Sequence, residues 1–186
     1  MHPCFFGYGS LVNRDTHVYA NATRAQLQGW RRTWVYTSAR GQAFLSVIAD
    51  AETTIDGLIA EVPHGDWEAL DAREYGYARI ASGEAALHPL NPAPQVSHYS
   101  VPQETWVNST ANHILLSYLD VVVQGYLREF GAAGVANLFA TTDRWDTPVL
   151  NDRAAPLYPR AQTLTAQETA LVDQHLALRN TPVIMG

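Results

Sequence analysis

The hydrophobic pattern of this chain changes character once, near residue 117, and that change restricts the folds open to it. Upstream lie short apolar runs broken by Gly, Pro and Asp; downstream, apolar residues recur at helical spacing. Strands followed by helices point to an α+β arrangement rather than an alternating α/β one. Residues 3–8 read as a first strand, and segment 23–37, with Leu27, Trp30, Trp34 and Tyr36, as a long strand bent at Gly29. Two more strands fit 43–49 and 53–62, joined by a polar turn from Asp50 to Glu52. Asp66 is placed to cap a helix over 67–75, which Gly76 ends. A strand near 77–82 leads to the proline-rich 88–94, read as a loop between edge strands, and then to Val96–Val101.

Ser117-Tyr-Leu-Asp120 resembles a capping box and opens a helix carrying Leu119, Val122, Val123, Tyr126, Leu127 and Phe130, closed by Gly131. A short helix fits 134–140. Residues 141–163 read as irregular, aromatic and proline-containing. Thr165-Ala-Gln-Glu168 is a full capping box for a last helix with Leu171, His175 and Leu178 on one side. At 186 residues the chain suits one domain, 1–186, with a helical and irregular C-terminal extension from about 141.

Composition narrows the partners. Net charge is −6, and Arg31-Arg32 is a lone basic pair between aromatics, so neither nucleic acid nor an anionic membrane surface is expected as a partner. No stretch approaches the roughly 18–20 apolar residues of a membrane span. Nothing resembles a signal peptide, and a cytoplasmic protein is expected. Cys4 is the sole cysteine, which precludes an internal disulfide, and the seven histidines lack metal-ligand spacing. No metal or cofactor is expected; oligomeric state is not legible.

Two segments carry candidate chemistry. In Pro3-Cys-Phe-Phe-Gly-Tyr-Gly-Ser-Leu11 a strand ends in a glycine-bracketed loop, whose amides can approach an anion or a developing oxyanion closely. In Leu70-Asp-Ala-Arg-Glu-Tyr-Gly-Tyr77 a carboxylate, Glu74, falls at a helix C-terminus, where the dipole disfavours its charged form. That suits proton transfer; the plainer alternative is a surface Glu paired with Arg73 or Arg79. Ser10 lacks the surroundings of an acyl nucleophile, and Gly7 to Val12 lacks the third glycine of a dinucleotide-binding turn. Arg160, in Tyr158-Pro-Arg160, suits bidentate carboxylate binding, although a salt bridge pinning its loop is the commoner role. The tryptophans read as packing residues.

Phe6-Gly-Tyr-Gly-Ser-Leu11, Leu70-Asp-x-x-Glu74 with a following tyrosine, and Ser117-Tyr118 before a helix reaching Gln124-Gly125 occur here in that order. Together they resemble the γ-glutamylcyclotransferase-like superfamily, which includes cyclotransferases of γ-glutamyl amino acids, the glutathione-specific ChaC type and AIG2-like proteins. The match covers roughly residues 4 to 130. The resemblance implies a small, mixed, largely closed β-barrel surrounded by helices. It also implies release of 5-oxoproline from a small γ-glutamyl substrate by intramolecular aminolysis, without a cofactor. Glu74 takes the general acid/base role; Tyr8, Gly9, Ser10, Leu11, Tyr77 and Tyr118 take substrate-binding roles. The helix opening at Tyr118 offers a second anion site at its N-terminus. The loop lacks the asparagine some cyclotransferases carry before the leucine, and the spacing after Glu74 is compressed, so substrate identity does not carry over. A non-catalytic small-molecule binding protein of the same fold is the rival. A nucleotide-dependent oxidoreductase is a weaker third.

Overall fold

The computed structural model describes residues 2–38, 41–107 and 112–185. Strand β1 (Cys4–Gly7), buried throughout, runs in the middle of a mixed sheet. It pairs antiparallel with β3 (Phe44–Glu61) and parallel with β6 (Val96–Ser100). A strand buried on both faces reads as a continuous apolar run, which is what Cys4-Phe5-Phe6 supplies. Beyond β3 lie β2 (Thr23–Val35) and the short edge strand β5 (Ala86–Leu87); beyond β6 lies β4 (Ala78–Ala81). A short strand, β8 (Thr142–Asp143), pairs parallel with β2. The sheet curls into a half-barrel with helices packed around it. Of the strands flanking the proline-rich 88–94, β5 is an edge, whereas β6 is bordered by β1 and β4.

β2 and β3 pair antiparallel along almost their whole length, and the pairing corrects one expectation. Asp50 to Glu52 does not separate two strands; it lies within β3. The register passes from Gln28↔Thr54 to Trp30↔Ala49, so residues 50–53 face Gly29 alone, which sits at φ +78°. The polar cluster therefore makes a wide bulge: Asp50 accepts hydrogen bonds from the Glu52 amide (3.2 Å) and the Thr53 hydroxyl (2.6 Å). Local turn chemistry is present, but the long pairing partner keeps the chain running forward.

Helix α1 (Glu68–Arg73) is short, with Asp66 accepting from the Glu68 amide at 2.9 Å and Gly76 following at φ +91°. Helix α2 (Leu116–Ala140) is interrupted at Gly131, whose φ of +68° and ψ of −169° break it where the sequence predicts an end. Its N-terminus departs from expectation: Ser117 lies inside the helix, and the cap comes from Asp152 far along the chain. Helix α3 (Ala166–Leu178) begins with the complete Thr165–Glu168 capping box. Its inward face is Glu168, Val172 and Leu176; Leu178 is 68% exposed, so the expected stripe is displaced by one position.

Within 141–163, β8 and β9 (Val149–Asn151) are ordered strands that periodicity cannot register at two or three residues. β9 pairs parallel with β7 (Ile114–Leu115) and with β10 (Val183–Met185) in a second small sheet. The main core joins β1, β2 and β3 to α2 and α3 through Phe6, Trp34, Leu58, Tyr126 and Phe139, all almost fully buried. Each such side chain contributes about 1.5–3 kcal/mol by leaving water. Among the described residues no helix is long and apolar enough to cross a membrane.

Candidate functional site

Since β1 lies between β3 and β6, its C-terminal end delivers the glycine loop to the middle of one end of the sheet. The loop turns back sharply: a Cβ on Gly7 would lie 2.6 Å from Leu11 Cβ. Ser10–Val12 form one 3₁₀ turn, in which the Val12 and Asn13 amides donate to the carbonyls of Gly9 and Ser10, each at 3.0 Å. At Gly9 an added Cβ would come 2.7 Å from Tyr118 Oη. This position needs glycine because the first turn of α2 presses its tyrosine onto the loop. The Ser10 backbone lies against the Tyr118 hydroxyl and offsets part of the rise that burial imposes on it.

Tyr8 points beneath the loop and donates its hydroxyl to the Tyr99 carbonyl at 2.6 Å. Burial pushes Tyr8 and Tyr118 well above the ordinary tyrosine range, and the charge of Glu74 adds to both shifts. Both hydroxyls are therefore neutral donors or acceptors at any physiological pH. From behind, the loop is held by Arg32, which is fully buried. Its guanidinium donates to the carbonyls of Tyr8 (3.2 Å) and Asp56 (2.5 Å), to Thr141 Oγ1 (2.7 Å), and to the Tyr126 hydroxyl.

Glu74 follows α1 directly, its amide bonded to the Leu70 carbonyl at 2.9 Å. The side chain is 18% exposed and pairs with Arg73 Nε at 3.2 Å. Arg73 also donates to Thr16 O and Thr16 Oγ1, and the Thr16 hydroxyl lies 2.9 Å from the Ser10 carbonyl. A continuous polar chain thus links the carboxylate to the glycine loop. Both alternatives weighed for Glu74 contain part of what is found: it is ion-paired with Arg73, and it also lines a cleft. Arg79 pairs with Asp71 instead, at 3.4 Å.

That cleft has two adjoining lobes. The inner one, about 30 Å³, is bounded by the Phe6–Leu11 loop and Tyr99; the outer one, about 90 Å³, extends to Gln42, Arg73, Tyr158 and Arg160. Ser10, Leu45, Glu74, Tyr77 and Tyr118 line both, so Glu74 stands at their junction. Every residue expected in the site borders the cleft. Of the tyrosines flanking Glu74, Tyr77 lines it and donates its hydroxyl to the Leu45 carbonyl at 2.9 Å, whereas Tyr75 is 64% exposed.

One expectation fails. The N-terminus of α2 is not open to a ligand anion, because Asp152 fills it, accepting from the Ser117 amide (2.8 Å) and hydroxyl (2.5 Å). A carboxylate of the chain itself has taken the position that the helix dipole favours. The same Asp152 accepts from the Leu157 amide at 2.9 Å, while the Ser117 hydroxyl accepts from the Tyr158 amide at 3.2 Å. These bonds fix the strap 152–160, and the Tyr158 ring meets Tyr118 edge-on at 5.1 Å. The salt bridge expected to pin the strap exists, but Arg153 makes it, with Asp120 and Asp173 at 2.8 Å. Arg160 lines the cleft instead. Sequence reasoning missed Asp152, Thr16 and Arg32; none has a local signature, since each acts on residues tens of positions away.

A curled mixed sheet wrapped by helices matches the γ-glutamylcyclotransferase-like fold. Among solved structures, a protein titled gamma-glutamyl cyclotransferase is similar with a TM-score of 0.54 and 12% identity, over 92% of this chain and 98% of that one. An uncharacterized human protein gives 0.55 and 13%, over 91% and 97%. YkqA from Bacillus subtilis gives 0.53 and 15%, over 73% of this chain and 52% of its own. No protein-family model matches the sequence, and no curated protein matches it. At these identities the likeness is one of fold.

Proposed function

We propose that the protein is a γ-glutamylcyclotransferase-type enzyme, converting a small γ-glutamyl compound to 5-oxoproline and a free amine, with Glu74 as general acid/base. The observation that carries this reading is that Glu74 lines both lobes of one cleft, at the junction with the glycine loop. The fold likeness to a gamma-glutamyl cyclotransferase supports it at the level of architecture.

The substrate brings its own nucleophile. Its α-amine nitrogen forms a bond to the γ-carbonyl carbon, closing a five-membered ring. Holding that geometry supplies an effective molarity on the order of 10⁵ M or more. The carbonyl oxygen becomes an oxyanion facing the loop. There the Val12 and Asn13 amides are used internally, which leaves those of Gly9, Ser10 and Leu11 as candidate donors. Glu74 takes the proton that the attacking nitrogen loses. As the bond from carbon to the departing nitrogen breaks, Glu74 returns that proton to the departing nitrogen. No atom is gained or lost overall. Arg73 holds the carboxylate in place throughout, and Tyr118 braces the loop.

Incubation with γ-glutamyl-L-alanine, and separately with glutathione, is expected to release 5-oxoproline from at least one. Glu74→Gln is expected to lower that rate by about 10²–10⁴ while melting like the parent. Ligand binding by calorimetry with no 5-oxoproline formed would favour the non-catalytic binding protein.

A further inference from the structure

We infer that Arg160 reads a carboxylate on the departing amine, so that the preferred substrates are γ-glutamyl amino acids rather than γ-glutamyl alkylamines. The inference rests on the function proposed above. With the glutamyl group against the loop and the bond to be broken at Glu74, the departing group must extend into the outer lobe. Arg160 borders that lobe and not the inner one. The other cation lining it among the described residues, Arg73, is committed to Glu74 and to Thr16. Arg160 has no carboxylate within ion-pairing distance among the described residues. Its charge reaches Tyr19: burial raises that hydroxyl, and Arg73 and Arg160 both pull against the rise.

The backbone that carries the cation is fixed on both sides. N-terminal to it, the Leu157 and Tyr158 amides are bonded to Asp152 and Ser117. C-terminal to it, the Ala161 amide closes a turn onto the Tyr158 carbonyl at 3.0 Å, and Gln124 donates to the Thr163 carbonyl at 3.1 Å. The fixed strap keeps Arg160 at the outer lobe, and its planar fork fits a carboxylate by two parallel hydrogen bonds. The need is physical as well. In a protein of net charge −6, a second substrate carboxylate close to Glu74 is repelled unless a cation meets it. A departing alkylamine has no such group and gains nothing from Arg160.

The test compares γ-glutamyl-L-alanine with γ-glutamyl-ethylamide, whose departing amines differ only by the carboxylate. The parent protein is expected to favour the alanine compound in kcat/KM by about tenfold, the range of one partly exposed charge-assisted pair. In Arg160→Gln the ratio of the two kcat/KM values collapses toward one, mainly through KM. Arg160→Lys, which keeps charge without the fork, falls between, and added salt narrows the parent's preference. If Arg160→Gln lowers both substrates equally, or leaves the ratio unchanged, Arg160 does not select the departing group and the inference is wrong although the enzyme stands. If the parent releases 5-oxoproline from neither these compounds nor glutathione, the proposed function itself fails, and this inference with it.

Discussion

Removing the carboxylate of Asp152 is expected to destabilise the protein far more than its place in a loop suggests. The side chain is buried and accepts three hydrogen bonds, from the Ser117 amide, the Ser117 hydroxyl and the Leu157 amide. The first is an N-terminal cap on α2, the longest helix among the described residues, and a lost cap costs about 1 kcal/mol. The other two are charge-assisted bonds worth roughly 1.5–3 kcal/mol each in isolation. The three share one carboxylate, so they do not add, and deleting a buried charge recovers part of its desolvation cost. About 3 kcal/mol is the net expectation for Asp152→Ala. For a chain of this length that is a fall in Tm of roughly 6–12 °C.

The companion variants make the reasoning checkable. Ser117→Ala leaves the amide cap but removes the hydroxyl that donates to Asp152 and accepts from the Tyr158 amide, so it is expected to cost about 2 kcal/mol, less than Asp152→Ala. Asp152→Asn preserves an acceptor for the Ser117 amide, but its NH₂ must then face the Leu157 amide, donor against donor. It is expected to recover less than half of the loss. Thermal and urea unfolding of the three variants give the comparison. If Asp152→Ala melts within about 2 °C of the parent, the strap and helix do not depend on this carboxylate. The fixed position of the strap that carries Arg160 would then lose its basis.

The remaining predictions concern the loop and a buried histidine. Gly9→Ala is expected to displace Tyr118, because the new methyl would lie 2.7 Å from its hydroxyl. Release of 5-oxoproline should fall at least tenfold with a Tm change of only a few degrees, and an unchanged rate would refute the tight packing of the loop on α2. His98 is fully buried, with Nδ1 2.9 Å from Ser82 Oγ and its ring 4.4 Å from that of Trp30; burial lowers its pKa to about 4. Between pH 6.5 and 4 the unfolded chain therefore binds the proton that the native state refuses. This contribution is complete above pH 6.5 and is lost as pH falls, the loss reaching about 2 kcal/mol by pH 5. His98→Asn should show a correspondingly flatter fall in Tm from pH 7.5 to 5, and parallel curves for the two proteins would contradict the assignment.

The parts of the site legible in sequence are those whose signal is local. Gly7-Tyr8-Gly9-Ser10 announces a loop because glycine flanks a strand end, and Glu74 announces a helix end through the glycine two residues on. What holds them is non-local, and Arg31-Arg32 illustrates why it stays hidden. Side chains alternate along a strand, so β2 turns Arg31 outward to Asp143, at 2.7 Å, and Arg32 inward beneath the loop. In composition the two are one basic pair; the pleat makes one a surface ion pair and the other a buried support.

The burial of Arg32 is tolerable because four neutral acceptors reach its guanidinium and the Tyr126 ring lies 5.0 Å from it. Those acceptors come from the loop, β3, the residue after α2 and α2 itself. Burial of the Tyr126 hydroxyl pushes it up to about 12, with Arg32 opposing the rise, so it stays protonated and its single proton is shared between the carbonyls of Asp56 and Tyr8. Each of these groups would be costly alone, since an unpaired buried donor or acceptor loses about 1–3 kcal/mol. Together they fix the Tyr8 peptide, and with it the direction in which the following amides point. A motif therefore locates the loop, whereas the direction of its amides is set by a residue 24 positions away whose role exists only once the sheet has formed.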